Sequence, residues 1–575
     1  MADTEKGGEK PSLSASRSDH ASELEGSSAP VVTQTVRGLA PRHVQLMAIA
    51  GSIGTGLWVT IPATSFPSHL LTPAPQTGIG SFLMSSGPLS LLLGYLFWGI
   101  FFICPVNLCI GEMLAYLPLK GSIFELAARY ADPALGFAIG WTFFFASVML
   151  VCVEYSAVAV VISYWDRDTN PAVYVAAIMV ACIILNIVAV KYYGEAEFLM
   201  SITKVMLLFG LVLITFITMS GGNPKHDAYG FRNWGNDPSL FMREYYTTGA
   251  TGRFLGWWEV VLYAGFTIGG PEMVALSAGE IQNPRRTIPR VAKMIFARIV
   301  AFYVVGVLCV GIICSADDKG LISAKASGAP GAGASPWVVG IQNLGITGLP
   351  HLINALIMMS AWSCGNAMVY GSSRTLYSLA RDGKAPKYLT KCSKQGVPLY
   401  AIATVSVITL ITFLVASNKA SDVFWWFVDL TTTGLIATYW MMAVTYVFWY
   451  RARTAQKLDE STLPYKVPFG VYPAYSAVLC GGLALTFVGY DCFVPWATRG
   501  FVTSYFGVIY AVVMFVGWKV YHRTKFVDPL EADLVSGKKE IDEECREWEE
   551  GGIEENYKKY LSTLTFWQRC WEKIW

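Results

Sequence analysis

Charge is what this 575-residue chain has least of: Asp, Glu, Lys and Arg together make up 15% of it, and the formal net charge is +2. An ordinary soluble domain carries about 25% charged residues. So small a balance offers neither a basic nucleic-acid surface nor a highly charged face for a partner. Histidine is rarer still, at six residues, and no pair of them stands at metal-ligand spacing. The twelve cysteines lack the paired spacing of a zinc site or a disulfide framework. Cys104, Cys109, Cys152, Cys182, Cys309 and Cys480 lie inside apolar runs and read as packing filler. No nucleophile elbow or phosphate-binding loop occurs, so nothing supports an enzyme. Residues 1–35 are polar, without the apolar core of a cleavable signal, and read as a disordered cytosolic tail.

What the chain has instead is apolar length. Hydrophobic residues form 54% of it, and its mean hydropathy is +0.44. A membrane-spanning helix needs about 20 largely apolar residues. Twelve segments satisfy that, beginning near Gln45, Pro88, Ala134, Ala172, Phe198, Phe254, Val291, Gly348, Pro398, Val423, Val471 and Thr503. The expected fold class is an all-α membrane protein of about twelve transmembrane helices.

Two of the twelve are interrupted. The first reads I-A-G-S-I-G-T-G-L-W and places Gly51, Gly54 and Gly56 among the hydroxyls of Ser52 and Thr55. So much glycine at bilayer depth favours unwinding, which a membrane tolerates only where the backbone faces protein or a cavity. The sixth contains Gly269-Gly270-Pro271, which removes a backbone donor beside two flexible residues and starts a new half-helix at Glu272. Breaks five segments apart suggest a five-helix unit used twice, with a binding site at the breaks. The alternative is a glycine-rich helix crossing. Loops on the side of the N-terminus carry nearly twice as many Lys and Arg as those opposite, so both tails are expected in the cytosol.

Five stretches carry a resemblance: R-G-L-A-P-R-H-V-Q-L-M-A-I-A-G-S-I-G-T-G-L (Arg37 to Leu57), G-P-L-S-L-L-L-G-Y (Gly87 to Tyr95), E-M-L-A-Y-L-P-L-K-G-S-I (Glu112 to Ile123), A-G-E-I-Q-N-P-R-R-T-I-P-R (Ala278 to Arg290) and S-R-T-L-Y-S-L-A-R-D-G-K-A-P (Ser373 to Pro386). Between Arg37 and Tyr521 the chain resembles fungal amino acid permeases of the yeast amino acid transporter family, within the amino acid/polyamine/organocation superfamily. The resemblance implies ten core helices in two inverted repeats with broken helices one and six, two peripheral helices, and secondary uptake of amino acids, usually with a proton. It therefore implies a proton gradient, and no cofactor, as energy source. A plasma-membrane permease domain over 36–521 is expected, followed by a cytosolic tail over 522–575. Lys538, Lys539, Lys6 and Lys10 are candidates for ubiquitin-dependent regulation. An amino acid or polyamine exchanger, or a transporter-like nutrient sensor, is the alternative function.

One segment departs from the family pattern. After Ile61 come Pro62, Pro67, Pro73 and Pro75, which no continuous helix accommodates. Joining Ile61 to Gly78 restores the helix, so 62–77 reads as an in-frame insertion, genuine or an intron retained in the coding sequence.

An amino acid presents a carboxylate and an ammonium on one carbon, so its site needs donors opposite acceptors. The amides of Ser52, Ile53, Gly54, Thr55 and Gly56, at the positive end of a half-helix, are the expected donors. Carbonyls of Phe266, Thr267 and Ile268 are the expected acceptors, with Phe266 a candidate gate. Glu272 has two readings, substrate or proton handling, as the resemblance suggests, and a cap on the new half-helix. Lys204 resembles the helix-five lysine of proton-coupled relatives and would carry the proton, or would snorkel to the cytosolic surface. Glu154 is the other deep acid, either touching substrate or held in a structural hydrogen bond. Trp362, Ser363 and Asn366 in the eighth segment are expected to face the cavity. In the C-terminal tail the acidic run reads as solvated helix and loop, and the final Trp, Phe and Ile cluster as an amphipathic mix that docks on a membrane face or on the transporter's own cytosolic loops.

Overall fold

The computed structural model describes residues 51, 54–58, 78–119, 122–188, 190–235, 241–269, 271–278, 281, 283–326, 333, 335–418, 420–493, 496–550 and 562–563. Among them there is no β-strand, only a single bridge between Phe493 and Trp496. Among the described residues, eight helices are long and apolar enough to cross a bilayer, and Pro171–Ile187 and Phe302–Ile313 are shorter apolar helices. The chain is a multi-pass, all-α membrane protein.

Local chemistry sets several starts. Asp132 caps span three (Pro133–Ile162), accepting the Ala134 amide at 2.8 Å, and Asn170 caps span four (Pro171–Ile187) in the same way at 2.9 Å. In both, proline fills the first helical position, where no amide partner is required. Gly87, at φ 83°, lets the short helix Ile79–Ser86 turn directly into span two (Pro88–Tyr116). Span three is buried almost throughout, whereas span twelve (Thr498–His522) faces outward along nearly all its length.

Ile79–Ser86 corresponds to the second half of span one. It packs on the first half of span six (Gly249–Thr267), with the Phe82 and Tyr263 rings 4.6 Å apart. The 62–77 segment and the first half of span one before Gly51 lie outside the described residues.

Span two and span seven (Pro284–Ile299 continued by Val300–Val304 and Val305–Ile313) each contain a five-residue π-helical turn, Gly99–Ile103 and Val300–Val304. In span two, Pro105 cannot donate to the carbonyl of Phe101, which instead accepts the Ser476 hydroxyl of span eleven (Tyr472–Phe487) at 2.9 Å. Wide turns in spans two and seven, like the breaks in one and six, stand five spans apart. That is the spacing a repeated unit requires.

The end of span twelve turns back under the bundle. Arg523 takes a left-handed φ of 51°. Beyond it the Val527 amide donates to the carbonyl of Ala131 at 2.8 Å, Tyr116 donates to the carbonyl of Leu534 at 3.2 Å, and Arg285 pairs with Asp542. Helix Lys538–Glu550 buries Ile541 and Cys545, four residues apart on one face. The acidic part of the tail is therefore a docked amphipathic helix with only its outer face solvated. The terminal aromatic cluster lies almost wholly outside the described residues. Fully buried Asp132 anchors the strap by pairing with Lys519 and accepting the Thr524 hydroxyl at 2.8 Å. Asp132→Ala is expected to destabilise the purified protein by about 2 kcal/mol, roughly half of it the lost cap. Asp132→Asn keeps the cap and should lose less; thermal denaturation in detergent reads both.

Candidate functional site

Residues 54–58 are not helical. Three of their carbonyls go to side chains packed against the turn: Tyr263 of span six donates to the Gly56 carbonyl at 2.8 Å, Ser335 at the start of the short helix Pro336–Asn343 to Trp58 at 2.5 Å, and Ser360 to Gly54 at 3.5 Å. This is how a membrane protein satisfies unwound backbone. The Thr55 amide donates to Glu154 Oε1 of span three at 3.3 Å. Thus one of the amides expected for a substrate carboxylate is already occupied by the protein's own. Ser52 and Ile53 lie outside the described residues.

The sixth span breaks where the sequence places it. Helix Gly249–Thr267 makes its last bond from the Ile268 amide to Ala264 at 2.9 Å, and a new helix begins at Pro271. Its last carbonyls, those of Phe266 and Thr267 among them, lie beyond the helical ladder, as at any helix end. The two breaks abut. A Cβ at Gly56 would come 2.7 Å from Thr267 Cγ2 and 3.0 Å from Phe266 Cε1, so only glycine fits there. Thr267 in turn donates to the Tyr95 hydroxyl of span two at 3.0 Å. Glu272, almost fully buried in the first turn of the new helix, accepts the Tyr439 hydroxyl of span ten (Ala420–Ala455) at 2.5 Å.

Lys204 of span five (Val190–Met219) is fully buried, so it does not snorkel. Its ammonium feels the charges of Glu154 and Glu197 and the thiol of Cys364. Glu197, two helical turns earlier on the same face, was not singled out by the sequence. Its carboxylate accepts Ser363 at 2.5 Å and Asn366 at 2.6 Å, and Asn186 donates to the side-chain oxygen Oδ1 of Asn366 at 2.8 Å. Ser363 and Asn366 are therefore spent on Glu197 rather than offered to a ligand. The signal that could have found Glu197 is its seven-residue spacing from Lys204 in an apolar helix. Glu154 Oε2 and Thr55 Oγ1 are buried without a hydrogen-bond partner among the described residues. They are the polar atoms left over at the point where the two breaks, span three and Lys204 converge.

The sequence profile described as "Amino acid permease" matches residues 76–531. The chain belongs to the amino acid permease family. The permease is 36% identical, over 93% of its own length and 94% of the other's, to a "Proline-specific permease" of Emericella nidulans. It is 35% identical, over 92% and 85%, to "General amino acid permease AGP2" of Saccharomyces cerevisiae, and 36% identical, over 92% and 83%, to the "Dicarboxylic amino acid permease" of that yeast. The profile match starts at the end of the 62–77 segment. Tyr439→Phe in the permease would leave Glu272 short of one buried hydrogen bond, a cost of about 1–3 kcal/mol. Thermal stability of the purified protein should fall accordingly.

Proposed function

We propose that this permease imports an amino acid across the plasma membrane by proton symport with alternating access, both termini in the cytosol. One observation carries the coupling: Glu154 Oε1 sits on the Thr55 amide in the unwound turn of span one. A substrate carboxylate seeking that amide meets a resident carboxylate, and two anions do not share one donor without repulsion. Substrate binding therefore favours a protonated Glu154, or one that turns to the substrate ammonium. Lys204 stands beside it as the second proton-bearing group, and Glu272, Phe266, Thr267 and Ile268 close the opposite wall. The energy source is the proton gradient, with no cofactor in the cycle. The Lys and Arg bias of the loops supports the orientation. Of the two tail lysines proposed as ubiquitin acceptors, Lys539 is exposed, whereas Lys538 lies 4.7 Å over the Tyr116 ring.

The test is uptake of a labelled amino acid panel, proline first, into permease-deficient cells at several external pH values, with and without 62–77. Accumulation above the external concentration, rising as pH falls, is expected. Uptake indifferent to external pH but stimulated by internal amino acid would replace symport with exchange.

A further inference from the structure

At the end of the bundle that carries the C-terminal strap, a cavity of about 730 Å³ opens between span two, the start of span seven, the loop over 463–471 and the head of span eleven. Its floor is braced by Glu112, almost fully buried, which accepts the Val467 amide at 2.6 Å and the Tyr446 hydroxyl at 2.8 Å and pairs with Arg453. The cavity is thus built by the fold. Its walls include Leu108, Leu463 and Phe469, and its cations are Lys293 and Lys466. Lys293 Nζ lies 5.5 Å over the Tyr465 ring and is otherwise exposed. Lys466 pairs with Glu460 at 2.9 Å, with about half of its side chain in contact with solvent.

Phe469 supplies an independent observation. It holds a left-handed φ of 65°, which costs a non-glycine residue about 1–2 kcal/mol, and yet its ring is 85% exposed. Tyr472, at the head of span eleven, is 73% exposed. Aromatic rings held outward where a spanning helix begins belong in the interfacial layer of a bilayer. Two cations over apolar walls at that depth match a lipid whose headgroup is anionic and whose chains are not.

We propose that this cavity binds an anionic phospholipid, its phosphate against Lys293 and Lys466 and an acyl chain along Leu108, Leu463 and Phe469. Bound there, the lipid ties span two to span seven, which continues from the half-helix beyond the sixth-span break. In the orientation proposed above, the site lies in the cytosolic leaflet, where anionic lipids concentrate. The binding chemistry itself does not depend on orientation or on proton coupling.

Photo-crosslinking tests it. The full-length protein is reconstituted into phosphatidylcholine nanodiscs with a trace of phosphatidylserine carrying a diazirine on one acyl chain, and adducts are mapped by peptide mass spectrometry. Adducts are expected on 463–473 and around Leu108, competed by excess unlabelled phosphatidylserine. The double substitution Lys293→Gln/Lys466→Gln should cut labelling roughly tenfold or more, and Lys293→Arg/Lys466→Arg should retain it. Equal competition by phosphatidylcholine, competition by inorganic phosphate alone, or full labelling of the glutamine variant would overturn the assignment. Because labelling is read without transport, its failure leaves the import reading standing.

Discussion

Glu154→Gln is expected to reach the membrane, to bind substrate, and to lose accumulation against a gradient. The amide side chain keeps an acceptor for the Thr55 N–H, so the unwound turn holds its shape. What it cannot do is exchange a proton. The ratio of internal to external substrate should fall to about one, the value for passive equilibration, and initial rates should stop rising as external pH falls. Surface expression and a titration of binding to the purified protein separate this outcome from misfolding. Unchanged accumulation in the glutamine variant would remove Glu154 from the coupling.

The second large effect falls on Gly54. A Cβ there would overlap Glu154 Oε1 and lie 3.1 Å from its Cδ and 3.2 Å from the Cys364 sulfur. Gly54→Ala therefore pushes the carboxylate off the Thr55 amide and overpacks a closed corner. Those costs are about 1–3 kcal/mol each, for the unpaired buried amide and for the strain. Uptake should drop on the order of a hundredfold, since each 1.4 kcal/mol is a factor of ten. Gly54→Ala combined with Glu154→Ala removes the clash. The pair should recover the part of the thermal stability lost to strain, but not the part lost with the Thr55 amide's acceptor, and should remain inactive. Normal uptake by Gly54→Ala alone would show that Glu154 need not sit on the turn.

The parts of this architecture that were legible in the sequence are those written locally. Asp132-Pro133 and Asn170-Pro171 announce helix starts, Gly269-Gly270-Pro271 announces a break, and long apolar runs announce spans. Even Lys204 could be placed in an apolar helix, though whether it pointed inward depended on span eight (Leu349–Arg381) packing against that helix. The contacts that define the site are not local. Thr55 meets Glu154 across 99 residues, and Ser363 reaches Glu197 across 166. Neither pairing has a periodicity of its own. The π-turn of span two follows from Pro105, but the hydroxyl that satisfies Phe101 comes from Ser476, on a helix the local pattern does not bring near. The docked tail was hidden for a different reason. Its acidic composition describes the solvated face of Lys538–Glu550, while docking depends on Ile541 and Cys545 and on partners such as Arg129 and Arg285 far back in the chain.

The decisive measurement is a structure of the permease with an amino acid bound. The substrate carboxylate is expected within hydrogen-bonding distance of the Thr55 amide, and Glu154 moved away from the 3.3 Å contact it makes there now. Glu154 still seated on that amide with the amino acid bound elsewhere, or an unbroken helix through residues 51–58, would contradict this.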